Sequence, residues 1–291
     1  MNRIGIDIGG TQLRVAAFDD AGEMLFKEVM PNDQAQGPEA NLARLAAVIE
    51  GWGIDYAGIG IGGPGPADFS AGKFLNPPNL PGWEDFEIVR FFEELTGKPA
   101  FLNNDANVAG LAEALAGAGR GYDSVFFFTV STGLGGGFIY QGKIVGGAHS
   151  FGAEVFNMIV NEDPYVRGSL NAGSVELQCS GTALGRMASE RMGREMDARE
   201  LFELWSAGIP AAAEVVERGA DNIAKLVNNV ASVVDPGIFV WGGSVALFNP
   251  EFIDLVHEKA KAYVLAPESL EFALAECGDE AGLIGAALLV E

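Results

Sequence analysis

Histidine and cysteine each occur only twice in the 291 residues. His149, His257, Cys179 and Cys277 are scattered, none at the spacing of a ligand pair. A structural zinc site needs four ligands, chiefly thiolate sulfur and imidazole nitrogen, so none is expected. The two thiols lie far apart without a partner motif and are expected to be free. Positive charge is also scarce, with 18 Lys and Arg against 40 Asp and Glu and a formal net charge of −22. That balance argues against a nucleic-acid partner, whose phosphate backbone is gripped by Lys and Arg. It leaves room for a single nucleotide, because backbone N–H groups and a magnesium ion can hold a triphosphate in an acidic protein. Nowhere do eighteen apolar residues run on without a charge, so no membrane-spanning helix is expected. Asp7 falls where a secretory leader needs unbroken apolar residues, and the expected location is the cytoplasm.

What is present is globular in kind: 48% apolar and 20% charged residues, in a length that suggests two domains. The most informative pattern occurs twice. Ile4-Gly5-Ile6-Asp7-Ile8-Gly9-Gly10-Thr11 continues apolar through Leu13, Val15, Ala17 and Phe18. Val125 to Thr129 is followed by Ser131-Thr132-Gly133-Leu134-Gly135-Gly136-Gly137 and then Phe138-Ile139-Tyr140. Each copy reads as strand, glycine turn, strand, then a second turn and a third apolar strand. The copies lie about 120 residues apart, which suggests two similarly built halves and is far too long for a solenoid. Between and after them, Leu42 to Ile49, Ala106 to Ala116, Asn222 to Val234 and Ala281 to Leu289 have helical spacing, and Ile59 to Ile61, Phe101 to Asn103 and Ile238 to Trp241 read as strands. Asp235-Pro236-Gly237 stops the third helix. Residues 28 to 40 and 70 to 85, rich in Pro, Gly, Asn and Asp, read as loops. The class is α/β with mixed sheets.

A glycine turn between strands leaves backbone N–H groups uncovered, and these can approach phosphate oxygens as an anion nest does. Two such turns, one per half, could grip a polyphosphate from both sides, with hydroxyls from Thr11 and Thr132 and a metal-bound water held by Asp7. Gly242-Gly243 follows a strand in the same way. Gly137 to Lys143 has the spacing of a P-loop, but Ile144 stands where Ser or Thr is required and no helix pattern follows. Asp105, in Asn103-Asn104-Asp105-Ala106-Asn107, sits between a strand end and a helix. There a carboxylate could take the proton from an attacking hydroxyl, or serve as the helix N-cap; the residues alone favour neither.

These segments resemble one family. Asp7-Ile8-Gly9-Gly10-Thr11, Gly62-Gly63-Pro64-Gly65-Pro66, Asn76 to Trp83, Asn104-Asp105-Ala106-Asn107, Ser131 to Gly137, Gly242-Gly243 and Asp279 to Gly285 run in the order of the ROK sugar kinases and sugar-responsive repressors. The resemblance spans nearly the whole chain. It implies an actin-like ATPase (ribonuclease H-like) duplicated fold, two domains around a cleft. The expected division is 1–115 with 278–291 as a small α/β domain and 116–277 as a large one. It also implies phosphoryl transfer from MgATP to a sugar hydroxyl. By that resemblance Asp7, Gly9, Gly10 and Thr11 are the first phosphate motif, Thr132 and Gly133 the second, and Gly242 and Gly243 the adenosine motif. Asp105 is the catalytic base. Gly65, Asn79, Asn104, Glu154, Asn157 and Glu176 belong to the sugar pocket, Glu176 being recognisable from Ser180-Gly181-Thr182-Ala183-Leu184.

The departures are informative too. The family places Gly and His after the first of these acids, where Phe156 and Asn157 stand here. Its three zinc-binding Cys positions are Arg167, Ser169 and Ser174, so the usual ligands are all missing. The loop from Phe156 to Glu176 is expected to be held by apolar contacts from Phe156, Met158, Ile159 and Tyr165 and by hydrogen bonds from Asn157 and the serines. Glucose is the leading substrate, because Asn76 to Trp83 looks most like the glucokinase members; N-acetylmannosamine and β-glucosides are rivals. A sugar-sensing ROK regulator is the reading from another class, although the first strand begins by residue 4 and leaves no room for a DNA-binding module ahead of it. The resemblance also implies a homodimer or higher homo-oligomer.

Overall fold

The computed structural model describes residues 1–290. The chain divides into two compact units. The first comprises Met1–Gly117, Gly142–Gly152 and residues 277 onward; the second comprises Ala118–Gln141 and Ala153–Glu276. The segment 142–152, which the sequence reading left with the second domain, falls in the first unit. There Gly142 lies against Leu115 at the end of a helix of that unit.

In the first unit β1 (Asn2–Ile8) and β2 (Gln12–Phe18) form an antiparallel hairpin, and β3 (Met24–Pro31) extends it. After helix α1 (Gly37–Gly51) the chain enters β4 (Tyr56–Gly63), parallel to β1. After α2 (Ile88–Thr96) it enters β5 (Ala100–Asn104), parallel to β4. The sheet order is β3-β2-β1-β4-β5. Residues 28 to 40 are thus only partly loop. β3 runs to Pro31 because it can pair with Gln12, and α1 starts at Gly37 with a proline in its first turn, where a missing N–H costs nothing. In the stretch 70 to 85, Lys73–Phe74 pairs with Ala67–Asp68, and Leu80 and Trp83 are fully buried and anchor the rest.

Strand alternation sends successive side chains to opposite faces. Ile4, Ile6 and Ile8 of β1 and Ile59 and Ile61 of β4 therefore share one core with Leu42, Leu45 and Ile49 of α1 and Phe92 of α2. Gly5 and Gly60 present the other face, on which the closing helix Ala281–Ala287 packs. The approach is backbone to backbone: a β-carbon on Gly60 would overlap the carbonyl of Ala286, and one on Gly285 would overlap that of Val108 in α3 (Asp105–Leu115).

The second unit repeats the plan. β6 (Ser124–Val130) and β7 (Leu134–Tyr140) form an antiparallel hairpin, and β6 pairs in parallel with β8 (Ile238–Gly242), which pairs with β9 (Phe272–Leu274). Aromatic rings tie β6 to β8: Phe128 stacks on Trp241 at 4.6 Å and on Phe239 at 5.8 Å between ring centroids. Helices α4 (Val175–Cys179), α5 (Gly181–Met192), α6 (Ala198–Ser206) and α7 (Pro210–Val234) complete that core, with α8 (Ser244–Phe248) and α9 (Pro250–Ala260) following β8. α7 stops where the sequence indicates, at Asp235 in the left-handed conformation with Pro236 next. It begins twelve residues earlier than the periodicity suggested, with Pro210 in its first turn. No helix among the described residues is long and apolar enough to cross a membrane.

The close approach on the glycine face is testable. Gly60→Ala is expected to destabilise the protein by about 2 kcal/mol or more, since an added methyl in a packed backbone contact forces the elements apart. Gly51→Ala, in open space at a helix end, is the control and should be neutral or slightly stabilising. Denaturant midpoints of both variants decide it; equal midpoints would mean that the closing helix can move away freely.

Candidate active site

The turn between β1 and β2 has its carbonyls tied back. Gly9 O accepts the Asn32 side-chain amide at 2.9 Å, Gly10 O accepts that of Gln34 at 3.2 Å, and Thr11 O accepts the Asn32 backbone N–H at 3.0 Å. In a planar trans peptide the N–H points opposite to the C=O. Holding the Gly9 and Gly10 carbonyls toward Asn32 and Gln34 therefore turns the N–H groups of Gly10 and Thr11 the other way. Gly10 must be glycine, because a β-carbon there would meet the Asn79 carbonyl at 2.7 Å. The Asn76 to Trp83 segment thus lies directly on the turn.

Asp7, at the end of β1, faces Arg14 across the hairpin. Arg14 donates from Nε at 2.7 Å and contacts the same oxygen, Oδ2, through Nη2 at 2.5 Å; its Nη1 donates to Asp279 O at 2.7 Å. Asp105 opens α3 as its first residue. The N-cap is Asn104, whose Oδ1 accepts the N–H groups of Ala106 at 2.8 Å and Asn107 at 3.2 Å. The two roles that were open for Asp105 are thereby separated in part: its neighbour caps the helix, and Asp105 Oδ1 accepts the Ala106 N–H, at 2.7 Å. Its side chain reaches solvent, yet surrounding protein thins its hydration. That desolvation pushes its carboxyl above the usual carboxylate range; the Ala106 N–H opposes the shift and the Asp7 charge adds to it. Gly65 lies against the Asn104 amide nitrogen. The first unit thus brings together Asp7, Gly9, Gly10, Thr11, Gly65, Asn79, Asn104 and Asp105.

In the second unit the turn after β6 is tied back in the same way, by the start of α5. Ser131 O accepts the Gly181 N–H at 2.7 Å, and Thr132 O accepts the Thr182 hydroxyl at 2.9 Å and its N–H at 3.3 Å. The Thr132 and Gly133 N–H groups consequently face away from α5. Glu176 Oε2 accepts the next N–H, that of Leu134, at 3.0 Å, and a β-carbon on Gly133 would meet that oxygen at 2.9 Å. Gly243, at φ +84°, passes so close to the Val130 backbone that a side chain is excluded. The Ser131 and Ser244 hydroxyls share a hydrogen bond of 3.1 Å. Thr132, Gly133, Glu176, Gly242 and Gly243 are thus gathered around one strand end. Glu154 is half-buried just before a 3-10 turn, Val155–Asn157. Asn157 Oδ1 is committed to the Asn171 N–H at 2.7 Å, which leaves its NH₂ for a ligand.

The loop 156–176 does not fit zinc. Arg167 and Ser169 are exposed, Ser174 is buried, and no group of three His, Cys, Asp or Glu side chains among the described residues could hold a metal ion. Asn157 contributes as expected, but Ile159 is 60% exposed and packs little. A polar network does more. Asn161 Nδ2 donates to Gln178 Oε1 at 3.0 Å and to Asn222 Oδ1 at 3.2 Å, Asp163 accepts Arg218 at 2.6 Å, and the Arg186 guanidinium lies over the Tyr165 ring at 4.0 Å. The Val160 N–H to Gly173 O and Val175 N–H to Met158 O bonds, 2.9 and 2.8 Å, zip the loop's two ends together.

Sequence reasoning missed Asn32, Gln34, Arg14 and Thr182. Thr182 was in view only as a marker for Glu176, and the others are polar residues with no periodicity to single them out.

Known proteins resemble this chain along nearly its whole length. The family model described as the ROK family matches residues 3–291. The chain is 32% identical over 291 residues to an N-acetylmannosamine kinase of Escherichia coli O9:H4, covering 100% of this chain and 99% of that one. Among solved structures, a ROK hexokinase from Thermus thermophilus matches with a TM-score of 0.92 and 38% identity, over 100% of this chain and 98% of that one. A ROK family glucokinase from Streptomyces griseus, in complex with glucose and AMPPNP, matches with a TM-score of 0.79 and 28% identity, over 100% and 99%.

The loop network generates a prediction. Asn161→Ala is expected to cost about 1–3 kcal/mol, because it takes the donor from the buried Asn222 Oδ1 and leaves Gln178 Oε1 with only the longer bond from Arg218, at 3.4 Å. Exhaustive treatment with a zinc chelator should leave the melting temperature unchanged. Near-stoichiometric zinc in the purified protein, or a Tm that falls on chelation, would contradict this account of the loop.

Proposed function

The chain belongs to the ROK family, and we propose that it transfers the γ-phosphoryl group of MgATP to the 6-hydroxyl of glucose, with Asp105 as general base. Its duplicated α/β architecture is that of the actin-like ATPases. The observation that carries the proposal is the pair of glycine turns with tethered carbonyls, each abutted by a segment read as sugar-binding: Asn79 on Gly10, Glu176 on Gly133. The hexokinase and the glucose- and AMPPNP-bound glucokinase among the similar structures support the same reading. N-acetylmannosamine is the second substrate to weigh, on the strength of the relative at 32% identity.

Phosphoryl transfer asks the protein mainly for position and charge complementarity. In this proposal the N–H groups of Gly10, Thr11, Thr132 and Gly133 hold phosphate oxygens. The sugar oxygen bonds to the γ-phosphorus as the bridging oxygen leaves with ADP, and the hydroxyl proton passes to Asp105 and on to solvent. Mg²⁺ is usually held by one or two carboxylates, waters and the substrate's phosphates. Asp7 suits that role, a single carboxylate beside the first turn and fixed by Arg14. When bound, the ion would offset charge on the phosphate oxygens. Asn104 and Glu176 would position sugar hydroxyls, with Glu154 and the Asn157 NH₂.

Asp105→Asn is expected to lower kcat by roughly 10²–10⁴-fold, the span for a lost general base. The base must be ionised, so wild-type kcat/KM should fall as pH drops through a value above that of an ordinary aspartate, about 3.9. The stability effect has the opposite sense. A raised carboxyl pKa means that the folded state holds the proton more tightly than the unfolded one, so the ionised form costs stability at neutral pH. The variant should therefore melt higher than wild type at pH 7, and the difference should vanish below the unfolded pKa. A variant retaining more than half of wild-type kcat, with chemistry rate-limiting, removes Asp105 from the role. A kcat/KM higher for N-acetylmannosamine than for glucose would replace the substrate.

A further inference from the structure

We propose that Thr182 is a positioning residue for the phosphoryl donor, setting the peptide orientation of the second phosphate turn without touching the nucleotide. The inference rests on the kinase reading above and adds a residue to it. Thr182 is the second residue of α5, whose N-cap Ser180 already accepts the Ala183 N–H at 3.2 Å. The first N–H groups of a helix have no acceptor within the helix. Here two of them, from Gly181 and Thr182, are satisfied by the carbonyls of Ser131 and Thr132. The Thr182 hydroxyl adds a second bond to Thr132 O, shorter than that of its own N–H, 2.9 Å against 3.3 Å.

Both hydrogen bonds to the carbonyl of the Thr132 to Gly133 peptide therefore come from Thr182. If that peptide turned over, the carbonyl rather than the Gly133 N–H would face a phosphate, and an attraction would become a repulsion. Gly181 allows the close approach: a β-carbon there would meet Ser131 O at 2.8 Å. The opposite side of the same turn is fixed by Glu176 on the Leu134 N–H. The segment 176–182 is thus a template on which the turn is laid. Thr182 is itself exposed, so its hydroxyl is not needed for core packing, and its commitment to Thr132 O marks its role.

The experiment is direct titration of MgAMPPNP and of adenosine into wild type, Thr182→Val and Thr182→Ser. Valine keeps the shape and removes the donor; serine keeps the donor. The Kd for MgAMPPNP should rise about three- to tenfold in the valine variant, the range of one lost hydrogen bond, and return to near wild type in the serine variant. Adenosine, which has no phosphates, should bind all three alike, and the sugar KM should not move. Thr182→Ala provides the same test should valine impair folding. If Thr182→Val lowers only the melting temperature and leaves the MgAMPPNP Kd unchanged, the residue is merely structural and the inference fails. If adenosine weakens in parallel with MgAMPPNP, Thr182 contacts the nucleotide itself and the inference also fails. A wild-type chain that binds no MgAMPPNP overturns the kinase reading together with this one.

Discussion

A backbone turn can offer N–H groups to an anion only if its carbonyls are satisfied on the other side. The peptide plane enforces this, because C=O and N–H point in opposite directions across one rigid unit. A loose glycine turn would pay for ordering at the moment of binding. Here both turns are ordered by neighbours. Asn32 and Gln34 hold the carbonyls of Gly9, Gly10 and Thr11; Gly181 and Thr182 hold those of Ser131 and Thr132. The duplicated sheets supply the two hairpins, but each half recruits its tether from a different place, a post-strand loop in one and a helix start in the other. The repeat is a repeat of geometry, not of the residues that maintain it.

Asp105 is the opposite case, a group whose environment is unfavourable to its charge. Desolvation and the nearby Asp7 carboxylate both raise its pKa, and Arg14 on Asp7 offsets part of that local negative charge. A carboxylate held this way is a better proton acceptor than one in water, and the fold gives up stability to keep it. Perturbed groups of this kind gather at functional sites. Asn104 makes the arrangement possible by taking over the capping duty that an aspartate at a strand-to-helix junction would otherwise perform.

The hairpins, the Ile-Gly-Ile alternation and the Asp235-Pro236 stop were legible in the sequence because each is local: period, turn residue or breaker is written within a few positions. The start of α7 at Pro210 was not, although its first turns bury Ala212, Val215, Val216, Gly219 and Ala220 at helical spacing, because that stripe is built mostly of small residues whose apolar signal is weak. The strand to Pro31 and the helix from Gly37 were hidden by a composition that reads as loop. Asn104 and Asp105 could not be ranked as caps from sequence, since both residue types serve. The tethers and the Asn161 network lie beyond such reading altogether. Asn161 and Asn222 are 61 positions apart and Thr182 and Thr132 are 50 apart, and a lone polar residue carries no sign of a partner at that distance.

The central claim, phosphoryl transfer to a hexose 6-hydroxyl by this chain, is tested most directly by identifying the product. Protein incubated with MgATP and uniformly ¹³C-labelled glucose can be followed by ¹³C and ³¹P NMR in one tube. The account predicts ADP and a sugar monophosphate formed in equal amounts, with phosphorus coupling seen at C6 and C5 and absent at C1. ADP released without any sugar phosphate, or phosphate carried on another carbon, would contradict it.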